Sequence, residues 1–170
     1  MINIAPDNYQ SENIVSEEEL TKKLDELRKQ GKKIGLCTGS FDLLHPGHIT
    51  HFISAKKMCD VLVIAVARDH FSSKKRPGKG RPVFSHDLRA FIVSQLKPVD
   101  FVILDDGCEE TVNLIKPDIF IKGKDYAGGE NPSIVRQKTL VESWGGKIGY
   151  TQDEKLSTTD IIQYIREEVE

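Results

Sequence analysis

Thr38-Gly-Ser-Phe-Asp-Leu-Leu-His-Pro-Gly-His48 lies between a short apolar run and a helix signal, and its reading decides the fold. Upstream, Lys33 to Thr38 reads as a buried strand. Downstream, Pro46 to Met58 reads as a helix. Pro46 suits the first helical position, where its missing N–H is no loss. That places His45 at the cap and His48 in the first turn. Gly39 and Gly47 allow close approach of backbone to a ligand. Free amides and the positive end of the helix dipole favour an anion there. Two imidazoles three residues apart add directional donors, so the stretch reads as a phosphate site. Two other readings stand beside it. His45 is a plain helix cap in one; in the other, His45, His48 and His51 are zinc ligands, although zinc wants a tetrahedral set.

Outward from this stretch the chain alternates. Asp60 to Ala67 (DVLVIAVA) is a β-branched run, hence a strand buried on both faces. Further strands are expected at 101–104, 118–122 and 147–150. Helices are expected at 85–96, capped by Ser85, and at 109–115, 132–143 and 158–168, with a basic loop over 68–82. An additional helix begins at the capping box of Ser16 and Glu19, carries Leu20, Leu24 and Leu27 on one face, and stops at Gly31. Alternation of this kind predicts an α/β domain with a mostly parallel sheet and helices on both faces. Ligands bind such sheets beyond the carboxyl ends of the strands.

The chain has 170 residues, enough for one domain, expected over 16–170 behind an N-terminal arm over 1–15. Apolar residues at 38% and charged residues at 29% are ordinary globular usage. A net charge of −2 argues against nucleic acid as a partner. No apolar run approaches a membrane span, and Met1 to Ser16 lacks the pattern of a signal peptide. Cys37, Cys59 and Cys108 are odd in number and widely spaced, as reduced thiols of a cytoplasmic protein would be.

Gly39-x-Phe-Asp followed by His45-Pro-Gly-His48 resembles the signature of the HxGH nucleotidyltransferases, the cytidylyltransferase-like superfamily. Arg81-Pro-Val before a helix carrying Arg89, Lys122-Gly-Lys-Asp-Tyr126 after the fourth strand, and Leu156-Ser-Thr-Thr-Asp-Ile161 at the last helix follow in the superfamily's order. Within that superfamily the chain resembles the adenylyltransferase domain of the bifunctional heptose kinase/ADP-heptose synthases, and more distantly the glycerol-3-phosphate cytidylyltransferases. The resemblance implies a Rossmann-like three-layer sandwich around a mostly parallel five-stranded sheet.

It also implies a chemistry. The phosphate of a small molecule attacks the α-phosphorus of a nucleoside triphosphate, and pyrophosphate leaves. A phosphate monoester has its second pKa near 6, so the nucleophile is already anionic and no general base is required. Catalysis then rests on placing two anions together and stabilising the developing charge. In that scheme His45 and His48 hold the triphosphate and stabilise the pentacoordinate phosphorus, with Arg81 and Lys57 as further catalytic cations. Thr38, Gly39, Ser40, Phe41 and Gly47 shape the loop against the nucleotide. Arg89, Lys122 and Gly123 also meet it, as do Ser157, Thr158 and Thr159 at the last helix. Asp42 fixes the loop, helps to bind metal or substrate, or is a plain turn residue. Lys56 and Lys57 reach phosphates or are surface lysines. Lys79, in the basic run Lys74 to Arg81, belongs to a flap over the phosphates or to a solvated charge run. Lys124, Asp125 and Tyr126 face the acceptor; Asp125 is expected on sugar hydroxyls, because a carboxylate accepts from several at once.

The expected reaction is ATP with a D-glycero-D-manno-heptose 1-phosphate, assisted by Mg2+ held mainly through phosphates. CTP with glycerol 3-phosphate, and ATP with flavin mononucleotide, are the alternatives within the class. A regulatory nucleotide-binding module is the alternative outside it. This sequence has Asp153, Glu154 and Lys155 where the glycerol-phosphate relatives carry an arginine. That leaves the pyrophosphate one cation short, for which Lys122 or Arg81 would compensate. The resemblance further implies a homodimer and, as pathway partner, a separate sugar kinase.

Overall fold

The computed structural model describes residues 1–2, 9–74, 81–128, 131–154 and 156–169. Five parallel strands form one sheet: β1 (Ile34–Gly39), β2 (Val61–Ala67), β3 (Phe101–Asp105), β4 (Ile119–Gly123) and β5 (Lys147–Thr151). Their order is β3-β2-β1-β4-β5. The chain winds outward from β1 through β2 to β3, then crosses back to β4 and β5. The loops after β1 and β4 therefore part company, and the crevice between them is the place for a ligand.

Among the described residues seven helices accompany the sheet: α1 (Glu17–Lys29), α2 (Pro46–Lys56), α3 (Asp69–Lys74), α4 (His86–Ser94), α5 (Cys108–Ile115), α6 (Pro132–Glu142) and α7 (Thr158–Glu168). Strand alternation sorts the core into two layers. Val61, Val63 and Ala65 of β2 join Leu20, Leu24, Val112, Ile115 and Val141, from α1, α5 and α6. Leu62, Ile64 and Val66 face the other way, onto Phe52 and Ala55 of α2 and Ala90 and Val93 of α4. Every β2 residue is buried, as its unbroken apolar run predicts. Each such Val, Leu or Ile contributes about 1.5–3 kcal/mol of burial free energy.

Ser16 caps α1 as read from the sequence, its hydroxyl accepting from the Glu19 amide at 3.2 Å. Ser85 occupies the N-cap of α4, but its buried hydroxyl makes no capping bond. The loop expected over 68–82 begins with a helical turn and a half, α3. Described residues of the expected N-terminal arm lie against the domain. The Ile2 amide donates to Val83 O, and Asn13 and Val15 exchange backbone hydrogen bonds with Val102. The latter pair covers part of the exposed edge of β3, which would otherwise present unpaired amides.

Candidate active site

A cavity of about 760 Å³ opens beyond the carboxyl ends of β1 and β4. The β1–α2 loop, the 3-10 turn Lys124–Tyr126 after β4, the start of α6 and the approach to α7 meet there, joined by Arg81, Cys108 and Thr151 from other stretches.

The β1–α2 loop is strained. Phe41 (φ 48°) and Leu43 (φ 52°) both occupy the left-handed region without being glycine. Packing sustains Phe41, whose ring stands edge-on to Phe52 at 5.1 Å and to His48 at 5.6 Å. Gly39 is required by that ring: a Cβ there would come within 2.8 Å of Phe41 Cζ. Its role is to admit Phe41, where the sequence suggested close approach to a ligand.

Asp42 fastens this loop to two distant segments. Its carboxylate accepts from Arg81 Nε at 2.7 Å and from the amides of Val83 at 2.8 Å and Phe84 at 3.3 Å. Its carbonyl accepts from the Thr158 hydroxyl at 2.6 Å. At 4% exposure, with both carboxylate oxygens engaged by protein donors, Asp42 holds the loop and not a substrate.

His45 is the N-cap residue of α2, yet its side chain makes no capping bond. Its ring stacks on His48 with centroids 3.8 Å apart. The Nδ1 atoms of both are buried without hydrogen-bond partners. Burial lowers the pKa of His45, and burial with the neighbouring His45 and His51 pushes His48 down to about 3. Both imidazoles are therefore neutral at pH 7. Buried unpaired nitrogens at a helix N-terminus leave room for a ligand that completes them. His51 is separate: its Nδ1 lies 2.9 Å from Thr151 Oγ1. Among the described residues no three His, Cys, Asp or Glu side chains are grouped to hold a metal, so the zinc reading finds no support.

From β4, Lys122 Nζ donates to Thr38 Oγ1 at 3.0 Å and sits 4.3 Å above the Phe120 ring. A Cβ on Gly123 would fall 2.7 Å from Asp125 Oδ1, so glycine permits the turn that brings Asp125 back. Lys124, Asp125 and Tyr126 are exposed along the cavity rim. Ser157 caps α7 by accepting from the Asp160 amide at 3.2 Å, and Thr159 also lines the cavity. The Ser40 hydroxyl donates to Ser72 Oγ at 2.9 Å.

Three expected assignments are corrected. Arg89 does not reach the cavity. It is 1% exposed, and its guanidinium donates to Phe84 O at 3.0 Å, Ala67 O at 2.8 Å, Asp69 Oδ1 at 2.7 Å and Ser40 O. With these four bonds made inside the protein, it ties the ends of β1 and β2 to α3 and α4. Lys57 stands at the far end of α2, eleven residues from its N-terminus. At 1.5 Å per residue that is about 16 Å along the axis from Pro46, and about 9 Å beyond His51, the last α2 residue on the cavity wall. Its neighbour Lys56 is held by Asp100 Oδ2 at 2.5 Å. Asp42 is the third: of its expected roles the fixing of the loop holds and the contact to substrate does not. Lys79 and Lys155 lie outside the described residues.

Sequence reasoning missed Cys108, Asn131, Ser133, Gln137 and Asp153, all on the cavity wall. Asn131 before Pro132 carried a usable signal, a helix N-terminus following a strand; its side chain accepts from the Ser133 amide. Gln137 carried none.

A parallel sheet with imidazoles at a helix N-terminus over its switch point is a Rossmann-like arrangement suited to binding a phosphorylated ligand. The chain belongs to the cytidylyltransferase-like family, which it matches over residues 36–164. It is 41% identical over 152 residues to the bifunctional protein HldE of Desulfatibacillum aliphaticivorans, covering 88% of this chain and 30% of that protein. It is 40% identical over 127 residues to the bifunctional protein HldE of Paramagnetospirillum magneticum, covering 74% and 25%. The chain thus spans less than a third of the length of these two relatives. Among solved structures, the lipopolysaccharide core biosynthesis protein of Thermoplasma volcanium is 32% identical, with a TM-score of 0.58, over 75% of this chain and 100% of that one. A pantoate-beta-alanine ligase from Francisella tularensis, 18% identical with a TM-score of 0.53 over 89% and 76% of the two chains, shares the fold. No described helix is long and apolar enough to cross a membrane.

Proposed function

We propose that this protein joins ATP to a D-glycero-D-manno-heptose 1-phosphate, forming ADP-heptose and pyrophosphate. An oxygen of the sugar phosphate attacks the α-phosphorus; the bond from the α-phosphorus to the bridging oxygen breaks, and that oxygen leaves with pyrophosphate. The stacked neutral pair His45 and His48 is the observation that carries the chemistry. Neutral imidazoles donate to phosphate oxygens as charge builds and take no proton from the nucleophile, which is already ionised. The N-termini of α2 and α7 add oriented amides. Likeness to the HldE proteins and to a lipopolysaccharide core biosynthesis protein supports heptose over glycerol. Within that likeness the Lys122-Gly-Lys-Asp-Tyr126 stretch supports it, and the absence of arginine before Ser157 weighs against the cytidylyltransferase alternative.

Magnesium, brought with the triphosphate, supplies neutralisation of its charge. The cavity residues fit an ion carried chiefly by phosphates: Asp153 offers a buried Oδ2 that lacks a partner, while its Oδ1 accepts from Ser54. A homodimer in the cytoplasm, supplied with substrate by a separate sugar kinase, completes the reading. The test is a matrix of four nucleoside triphosphates against sugar and polyol phosphates and flavin mononucleotide, read as pyrophosphate release. Turnover of ATP with a heptose 1-phosphate above all other pairs is expected. A tenfold preference for CTP, or faster reaction with glycerol phosphate, would overturn the substrate assignment.

A further inference from the structure

The cavity has a second polar wall that the phosphate chemistry leaves unused. His45 and His48 come from α2, which packs on one face of the sheet with Phe52 and Ala55. Gln137 comes from α6, which packs on the opposite face through Val141. Both reach the same cavity. Gln137 is only 4% exposed, and its amide is half satisfied. Nε2 donates to Ser133 Oγ at 3.1 Å and to Cys108 Sγ at 3.3 Å. Oε1 is buried with no hydrogen-bond partner. The chain of contacts continues from Cys108 Sγ to Thr38 Oγ1 at 3.3 Å, and Thr38 receives the Lys122 ammonium.

A buried carbonyl oxygen without a donor is unfavourable, so the arrangement is explained if a ligand supplies the donor. Turning the amide over only exchanges which end is left unpaired, so in either orientation one buried polar atom of Gln137 lacks a partner. The surroundings tell what kind of donor fits. Ser133 and Cys108 hold its Nε2, and Thr38 and Asn131 line the same cavity; all four are small and polar. Hydroxyls and amides of this kind match a polyhydroxylated ligand. A purine or pyrimidine calls for a flat apolar or aromatic slot; the aromatic rings on the cavity come from the β1–α2 segment and from Tyr126 after β4, and none of the described α5 or α6 residues lining it is aromatic.

We infer that Gln137 is a specificity-determining residue for the acceptor, receiving a hydrogen bond from one hydroxyl of the sugar phosphate. The inference rests on the proposed reaction and deepens it. Positioning an acceptor hydroxyl there orients the sugar while its phosphate meets the histidines. Discrimination follows from polar complementarity, because a sugar lacking that hydroxyl leaves Oε1 buried and unpaired.

The experiment uses the whole chain, with Gln137→Met to keep the side-chain volume and Gln137→Glu as the conservative variant. Steady-state kinetics are measured for ATP and for the sugar 1-phosphate that the wild type uses best. A set of acceptors each lacking one hydroxyl is then compared. Gln137→Met is expected to raise the acceptor KM about tenfold or more with the ATP KM unchanged, as loss of a buried hydrogen-bond partner does. Gln137→Glu, which retains an acceptor oxygen, recovers part of that loss. One deoxy acceptor is a poor substrate for the wild type and no worse than its parent for Gln137→Met, the coupling expected of a direct contact. An unchanged acceptor KM in folded Gln137→Met overturns the inference alone. A raised ATP KM overturns it too, placing a base amino group at Oε1. Failure of the wild type to use any sugar phosphate overturns the reading of the reaction, and the inference falls with it.

Discussion

The imidazole of His45 lies against that of His48, 3.8 Å between centroids and 25° from parallel, with both Nδ1 atoms buried and unpaired. Both rings line the cavity at the N-terminus of α2, and their stacking holds them in place, so little rearrangement of the imidazoles is needed during reaction. His48→Ala is expected to lower kcat about 10²–10³-fold, the usual effect of losing one such donor, with a much smaller effect on triphosphate binding. A variant that retains more than half of wild-type turnover in the pyrophosphate assay would remove His48 from the chemistry.

The same pair makes stability depend on pH. Folding lowers both histidine pKa values, that of His48 to about 3. Between pH 3 and the unfolded value of about 6.5 the unfolded chain therefore binds a proton at His48 that the native state refuses. Stability from this source is full above pH 6.5 and declines as the pH falls toward 3. Urea midpoints of the apo protein from pH 7.5 to 4.5 should decline less steeply for His48→Ala than for the wild type. Parallel curves would contradict the assignment of the slope to this histidine.

Arg89 is a buried clamp, and lysine cannot imitate its fork of donors to Ser40, Ala67, Phe84 and Asp69. Arg89→Lys should destabilise the protein by about 3 kcal/mol, because carbonyls and a carboxylate lose their partners inside the fold. Urea unfolding measures this. An unchanged midpoint together with a raised ATP KM would restore the direct nucleotide role that the burial of Arg89 excludes.

Lys57 offers the opposite control. It is exposed at the far end of α2 from the cavity. Lys57→Ala should leave kcat and both KM values within about twofold, as surface substitutions remote from a site do. A loss of turnover beyond tenfold would mean that α2 does not point Lys57 away from the reaction.

Removal of divalent metal tests the electrostatics of the whole site. A triphosphate and a phosphate monoester must meet in one cavity, and Asp153 adds a carboxylate to it. EDTA should abolish turnover, and added Mg2+ should restore it. The circular dichroism spectrum should not change, since the ion is carried by phosphates and not by a protein cage. Full activity in EDTA would refute the requirement.

The alternation of apolar runs with capped, amphipathic segments predicted the layered α/β fold, and β2 shows why: seven consecutive apolar residues cannot be satisfied except between two helical layers. The phosphate-facing stretch was legible for a related reason. Pro46 at the first helical position, the glycine beside it and the two histidines lie within four residues, so local backbone geometry brings them together. Arg81, Arg89, Lys57 and Gln137 were different. As a sequence, the basic residues were equivalent cations near motifs. Tertiary structure set Arg81 on Asp42, 39 residues away, and buried Arg89 beneath the Ser40 carbonyl, 49 residues away. It carried Lys57 off along the helix and turned Gln137 into the cavity from the far face of the sheet. A charged or amide side chain does what its nearest polar partners allow, and those partners are fixed by packing between distant segments. Short-range chemistry was therefore written in the order of the residues, and the destination of each long polar side chain was decided only when the sheet closed around it.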